Sequence, residues 1–379
     1  MNFSTLQENL KKGLFAIGHV AGKNTNLPIL NNVMIEAKNN EIKLLTTNLD
    51  VGITNKIRGK INKEGTFTVN SKILTDYINL LPNKKIDIIN EKNNLIIKCE
   101  NYQTKIIGQS ADDFPLIPNV ETDNCCSVKA DDLKSALSKT IFAVSRSELR
   151  LEISGIFLNF NNKKATIVGT DSYRLVEVEF DINANLDNNK SIIIPIETAS
   201  ELIRIISGAP GRAESMDNNN SVEIYITDNQ VLFKTNETEL VSRLIEGQYP
   251  DYKQIIPINI KTNIIINKND LIRAVKTCSL FSKKEINDIT FDFLNNKNQV
   301  IISSVSGQVG ENIVELDVEI NGGDGEESKI IINHRYLLDG LSSIEDDRIK
   351  IEIVNNNTPC VLRPEKEKNY LYIIKPIVL

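Results

Sequence analysis

The chain holds little of what metal and disulfide chemistry require. Its five cysteines are an odd number, Cys125 and Cys126 are neighbours, and none stands at Cys-x-x-Cys spacing, which argues against a disulfide framework or a zinc site. There are two histidines, His19 and His334, and neither has a Cys, Asp or Glu at metal-ligand spacing, so both read as helix-surface or capping residues. No metal and no cofactor is expected. No apolar run approaches the roughly 20 residues of a membrane helix. The start, MNFSTLQENLKKGLFAIG, lacks the basic lead, apolar core and cleavage site of a secretory signal, and a reducing cytoplasm is the expected location. Phosphate-loop glycines are also missing: Gly155 in EISGIFLNF is isolated, without the pattern such a loop needs. NGGDGEE at 321–327 has the wrong ligand spacing for calcium and reads as a strand connection. GTDSYRLVEV at 169–178 gathers Asp171, Ser172, Tyr173 and Arg174. No histidine or lysine is positioned by sequence to activate Ser172, so a tight turn between two strands is the plainer reading.

What is present is repetition. The chain has 379 residues, 41% hydrophobic and 25% charged, ordinary values for a globular protein that is too long for one core. Three segments, FSTLQENLKKGLFAIG, CSVKADDLKSALSKTIFAVS and IIINKNDLIRAVKTCSLFS, each pass from an extended run through a capping cluster into a helical apolar period. Their first helix leucines, Leu10, Leu133 and Leu271, lie 123 and 138 residues apart. A second triplet, VNSKILTDYINLL, IPIETASELIRII and INHRYLLDGLSSI, starts at Val69, Ile194 and Ile332, at offsets of 125 and 138. Two independent landmarks thus give nearly one spacing. Between them lie alternating runs such as NEIKLLTTN, ATIVGTD, LVEVEF and NQVIISS, which read as strands. The expected class is α+β, with three repeated domains at 1–121, 126–253 and 262–379. The loops SADDFPLIP (110–118) and EGQYPDYKQIIP (246–257) would close the first and second units.

Charge is unevenly placed. The net charge is −6, which excludes a protein that coats nucleic acid with its whole surface. Yet the stretches Leu10 to Lys23, Leu133 to Arg146 and Leu271 to Lys284 hold ten basic residues and no Asp or Glu in 42 positions. Lys72, Lys84 and Lys85 are a supplement from the first unit. Such a basic face on an acidic body suits a phosphate backbone held without base reading. Few aromatics accompany these cations, so single-strand stacking is not favoured.

Six stretches in order carry a resemblance: LPILNNVMIEA (27–37), ADDFPLIP (111–118), GTDSYRLVEV (169–178), EGQYPDYKQIIP (246–257), INHRYLLDGL (332–341) and YIIKPIVL (372–379). On these the chain resembles, end to end, the bacterial β sliding clamp family, the processivity subunits of DNA polymerase III. The resemblance implies a DNA clamp fold with helices lining the inside and sheets outside, closed as a ring by a head-to-tail homodimer around double-stranded DNA. Helices pack about 8–10 Å apart, so a pore of roughly 35 Å with a circumference of about 110 Å needs about twelve of them. Three units of two helices would close half of such a ring.

The DNA-facing set expected on this basis is Lys11, Lys12, Lys23, Lys72, Lys134, Lys139, Arg146, Arg150, Arg204, Arg273 and Lys276. Dimer contacts are expected at Leu280 and Phe281 and on the edge strand at Lys105 and Ile106. The family also implies a pocket for short peptides, carried here by Ile153, Thr170, Ser172, Tyr173, Arg174, Leu175, Pro250, Ile255, Ile286, Asn333, Tyr336, Pro359, Ile373, Ile374, Lys375, Pro376, Ile377, Val378 and Leu379. Apolar walls with a few polar groups suit that role. Implied partners are the polymerase catalytic subunit, an ATP-driven clamp loader and other replication and repair proteins carrying a clamp-binding motif, with no membrane and no catalytic residue. The chain departs from the family pattern at Ser172-Tyr173, at Lys375, and at Pro195-Ile196-Glu197, where a basic pair often opens the helix. Two other readings stay open at this level. One is a three-repeat scaffold that never encircles DNA, and the other is a hydrolase using Asp171 and Ser172.

Overall fold

Alternation sets the strands. In Asn32–Lys38, Val33, Ile35 and Ala37 turn inward while their neighbours stay partly exposed, the period of two expected where one face of a sheet is covered. The computed structural model describes residues 1–22, 27–122, 125–147, 149–161, 163–184, 189–208, 221–235, 237–294, 297–322 and 328–378. Among them are six α-helices: α1 (Gln7–Ile17), α2 (Ser71–Leu80), α3 (Ala130–Thr140), α4 (Ile196–Ser207), α5 (Lys268–Ser279) and α6 (His334–Ser343). They fall where the two sequence triplets put them. Each begins at the residue after a strand ends, so the switch from a period of two to one of 3.6 is abrupt. Asparagine makes three of these switches: Asn70, Asn267 and Asn333 accept amides of the first turns of α2, α5 and α6, satisfying donors that a helix start leaves unpaired.

Among the described residues no α-helix exceeds 12 residues, a length at which an isolated helix is marginal in water. Packing holds them instead. α1 buries Leu10, Leu14 and Ile17 completely, each contributing roughly 1.5–3 kcal/mol relative to exposure. Its Gly13 lies so close to the sheet that a Cβ there would meet Ile57 at 2.5 Å.

The chain divides into two compact units, one of residues 1–134, 160–163 and 182–245 and the other of 135–159, 164–181 and 246–379. The first contains a continuous sheet of fourteen strands. Within it, Val51–Ile57 of the first repeat pairs antiparallel with Thr238–Arg243 of the second, from Asn55 opposite Thr238 to Val51 opposite Ser242. The second unit repeats this device: Arg174–Asp181 pairs with Tyr370–Ile374, from Arg174 opposite Ile374 to Val178 opposite Tyr370. A four-stranded sheet in the order Gly310–Asp317, Gln299–Ser306, Asp288–Leu294, Ser328–Asn333 belongs to the second unit as well. Successive repeats are therefore joined by main-chain hydrogen bonds as well as by side chains.

All five cysteines are free. Burial pushes the Cys126 and Cys360 thiols up to about 12 and the Cys278 thiol to about 11, so they stay protonated and pack as small hydrophobes. Among the described residues no group of three or more His, Cys, Asp or Glu is arranged to hold a metal ion, and no helix is long and apolar enough to cross a membrane. Most of the NGGDGEE segment lies outside the described residues.

Candidate functional site

The strands Lys164–Thr170 and Arg174–Asp181 are closed by a three-residue turn. Asp171 Oδ1 accepts the amides of Tyr173 and Arg174 at 2.9 and 3.0 Å. The Thr170 hydroxyl donates to the Arg174 carbonyl at 2.6 Å and accepts the Ser172 amide at 3.2 Å. Ser172 has a φ of 75°, a left-handed conformation uncommon outside glycine. Its hydroxyl accepts from Arg150 Nη1 at 3.1 Å. Tyr173 is lifted into solvent by this geometry.

Arg174 is the hub. Its Nε donates to Asp171 Oδ2 at 3.0 Å, Nη1 to Asp339 Oδ2 at 2.5 Å and Nη2 to the Phe142 carbonyl at 2.9 Å. The guanidinium lies 4.5 Å from the Tyr336 ring centre and 5.4 Å from that of Phe142, within cation–π range. Burial by itself would lower its pKa, but the hydrogen bond to Asp339 and the charges of its other neighbours, Asp171 among them, outweigh that and raise it. It is held charged and in one orientation. Above it, Tyr173 and Tyr336 stack with centroids 6.4 Å apart at 27°. Tyr336 is anchored from below by the Tyr372 hydroxyl, which donates to its carbonyl at 2.7 Å. That approach needs Gly340 in α6, where a Cβ would come within 2.1 Å of Tyr372 Cε1.

The C-terminal segment closes one side. The Lys375 amide donates to the Tyr173 carbonyl and the Ile377 amide to the Ile331 carbonyl, each at 2.8 Å. Ile153, Thr170, Leu175, Ile373, Ile374 and Pro376, also expected in the pocket, are buried. Of the other residues expected in the pocket, Tyr173, Ile255, Ile286 and Val378 are exposed apolar side chains, Pro250, Asn333, Tyr336, Pro359 and Ile377 are partly exposed and Lys375 is exposed. Leu379 lies outside the described residues. The turn carrying Ile255 is fixed through Tyr252, whose hydroxyl donates to Glu177, while Tyr249 stacks on Phe157 at 4.6 Å. The Asn333 side chain has two tasks, accepting the α6 amides of Arg335 and Tyr336 and donating to the Ile286 carbonyl at 3.4 Å.

The basic residues separate into free and engaged. Lys11, Lys12, Lys72, Arg146 and Lys276 are exposed, Lys134 is half-buried and Lys23 lies outside the described residues; Arg273 is exposed too, in a weak pair with Asp270 at 3.6 Å. Three others have structural partners, which alters the expectation for them. Lys139 is 8% exposed, and its Nζ bonds both carboxylate oxygens of Glu367 at 2.9 and 3.2 Å. Arg204 donates to the carbonyls of Phe15 and Ala16 and to Glu201, so it caps the end of α1, where carbonyls lack helical partners. The same Glu201 accepts from His19 Nδ1 at 2.7 Å, a carboxylate that spacing did not reveal. Arg150 pairs with Glu152 at 2.9 Å and belongs to the Ser172 turn. Nor are the basic helices free of acid: Glu8, Asp131, Asp132 and Asp270 occupy their first turns, where the helix dipole favours them. Arg146, Lys283 and Lys284 lie beyond the helix ends.

Sequence models of the DNA polymerase III beta subunit match residues 1–118 (N-terminal domain), 127–251 (central domain) and 253–378 (C-terminal domain). The chain belongs to the DNA polymerase III beta subunit family. It is a sliding clamp, a non-catalytic processivity factor built of three α+β clamp domains. It is 29% identical over 363 residues to the beta sliding clamp of Staphylococcus epidermidis, covering 93% of each chain. The sliding clamp of Bacillus subtilis matches in structure with a TM-score of 0.91 at 25% identity, over 100% of this chain and 99% of that one. That of Pseudomonas aeruginosa, at a TM-score of 0.92 and 24% identity, shows the same fold.

Within the clamp, Leu280 and Lys105 are exposed and Phe281 is half-buried. Ile106 is 7% exposed and faces inward, whereas Ile107 is 80% exposed, so the outward register of the Tyr102–Gln109 strand is the alternate one. Residue-by-residue reading missed Asp339 and the Phe142 carbonyl as partners of Arg174. No local pattern carries them, because Asp339 lies 165 residues away in the chain.

Proposed function

We propose that two copies of the clamp close head to tail into a ring around duplex DNA. The Arg174 site then receives short linear peptides from the polymerase catalytic subunit, the clamp loader and repair proteins. The observation that carries this reading is the family match over three successive domains, taken here to run over 1–121, 126–253 and 262–379. Two open strand edges support closure. Gly310–Asp317 is the last strand of its sheet. Along Tyr102–Gln109 the edge facing Gly65–Asn70 is paired only at Gly108 and Gln109 among the described residues. Unpaired edges of this length are templates for another chain's strand, and both have exposed apolar side chains on or beside them, Ile107, Ile313 and Leu280.

The exposed cations of α1, α2 and α5, with Lys134 and Arg146, attract phosphate without reading bases. Centring the duplex this way leaves sliding unhindered and makes retention a matter of topology in the cytoplasm. The Arg174 site offers stacked tyrosines and aliphatic side chains over a fixed guanidinium, the mix of apolar surface and oriented polar groups that short peptides use.

Two measurements test the reading. Loaded protein should stay on closed circular DNA and be lost when the circle is cut, and its solution mass should be twice the 42.5 kDa of the chain. Equal retention on circular and linear DNA, or a stable monomer, would overturn it. Removing Ile377 to Leu379 should abolish polymerase-peptide binding while leaving the dimer intact.

A further inference from the structure

The turn beneath the Arg174 site has a copy earlier in the chain. Thr47, Asn48, Leu49, Asp50 and Val51 correspond to Thr170, Asp171, Ser172, Tyr173 and Arg174 at an offset of 123 residues, the offset that separates Leu10 from Leu133. The copy holds bond for bond. The Thr47 hydroxyl donates to the Val51 carbonyl and accepts the Leu49 amide, both at 3.0 Å. Asn48 Oδ1 accepts the amides of Asp50 and Val51 at 3.1 and 2.7 Å. Leu49 has a φ of 80° where Ser172 has 75°. The neighbouring strand is attached in the same way: the Arg243 amide donates to the Asp50 carbonyl at 2.9 Å, as that of Lys375 does to Tyr173 at 2.8 Å. The linker repeats too, Phe114-Pro115 standing for Tyr249-Pro250.

Between this turn, its linker and the strand Thr238–Arg243 lies a cavity of about 250 Å³, walled by Leu49, Pro115, Leu116 and Val241, with Asp50 and Arg243 as its charged groups. Folding accounts for Val241, which is buried in the core with Tyr225 and Leu232, but not for Leu49 and Leu116. A leucine held in the left-handed region is strained by its Cβ, and glycine or asparagine would close the turn with less strain. Leu49 is 46% exposed and Leu116 is 93% exposed, so burial returns little for either. Asp50 and Arg243 stand 3.8 Å apart with side chains 69% and 68% exposed, a weak pair whose partners are open to exchange.

We propose that this cavity is a second peptide-docking site. Its occupant is an extended segment with a leucine-sized side chain flanked by one basic and one acidic residue. The aliphatic group seats against Leu49 and Leu116, the base pairs with Asp50, and the acid pairs with Arg243. Size limits the choice: pockets for drug-sized ligands span about 300–1,000 Å³, and this one takes one or two aliphatic side chains. The strand edges beside it are already paired with each other, so recognition runs through side chains and not through an added strand. The assignment rests on the reading of the Arg174 site as a peptide site, since the two share their turn. Its ligand differs because Asp50 and Val51 replace Tyr173 and Arg174.

The probe is a fluorescein-labelled peptide, Gly-Lys-Leu-Leu-Glu-Gly, titrated against the full-length protein by anisotropy. The expected result is saturable binding with a Kd of about 0.1–1 mM. Leu116→Glu and Leu49→Asn should each weaken it about tenfold or more. Both positions are exposed enough for the variants to fold, and asparagine suits the left-handed turn. Tyr173→Ala, at the other site, should not change it. Binding weakened by Tyr173→Ala and untouched by Leu116→Glu would put the peptide at the Arg174 site, overturning this proposal and leaving that reading standing. Failure to saturate near about 5 mM would overturn it as well. Failure of the Arg174 reading shows separately, as a polymerase peptide whose affinity Tyr173→Ala leaves unchanged.

Discussion

The turns at Thr47 and at Thr170 are built alike and display different side chains. Each needs a threonine hydroxyl and an Asx oxygen to tie down its amides, and Asn48 and Asp171 supply that oxygen equally well. The turn is thus a scaffold whose chemistry tolerates substitution. The following positions diverge. Val51 is an apolar core residue, whereas Arg174 is a half-buried cation held by two carboxylates and a carbonyl. Hydrogen-bond needs preserve the backbone of a repeat, and the side chains displayed on it are free to acquire separate tasks.

The widest difference should come from charge. Arg174→Ala strands Asp171, Asp339 and the Phe142 carbonyl, and should cost about 2–3 kcal/mol in urea unfolding. Arg243→Ala, at the other junction, removes only an exposed pair and should stay within about 0.5 kcal/mol. Equal losses would erase the distinction. Next comes packing. Gly340→Ala drives a Cβ into the Tyr372 ring and should cost about 1–3 kcal/mol by overpacking. Gly52→Ala meets the Ile117 side chain at 2.8 Å, a group on a linker that is able to give way, and should cost less.

Backbone strain sharpens the comparison further. Leu49→Gly should raise stability by about 0.5–1 kcal/mol by relieving the left-handed leucine, and Ser172→Gly should gain less. A loss at Leu49 would mean that its side chain contributes packing that outweighs the strain. The smallest effect concerns pH. Burial and, secondarily, Arg335 lower the pKa of His334, so the folded state favours the neutral ring while the unfolded chain titrates near 6.5. The unfolded state binds more protons below that value, so stability should be full above about pH 6.5 and decline as pH falls. Ser71 follows its Asn cap as His334 does, and His334→Ser should remove this acid-side slope without changing stability at pH 8.

Much of the fold was legible because it is periodic. Apolar spacing marked all six helices, and Asn70, Asn267 and Asn333 marked where three of them start. The repeat spacing and the tight turn within GTDSYRLVEV were equally visible, since each needs only neighbours along the chain. The site was half legible: Tyr173, Arg174 and Tyr336 stood in recognisable stretches, but Asp339 as a partner did not. Lys139 and Arg204 show the same limit. As helical cations they read as phosphate contacts, yet Glu367 and the α1 carbonyls, 228 and 189 residues distant in sequence, hold them.

The sequence by itself therefore determined the three-fold repetition, the order of strand and helix, and the clustering of cations in three stretches at 10–23, 133–146 and 271–284. All of these follow from local hydrogen bonding and from a hydrophobic period that needs no partner to be read. Only the tertiary structure decided which cations are free, which isoleucine of an edge strand faces outward, and what surrounds Arg174. Charges and hydrogen-bond donors act over a few ångströms of space, and the sheet pairings that bring distant segments within that range have no counterpart in the spacing of residues along the chain.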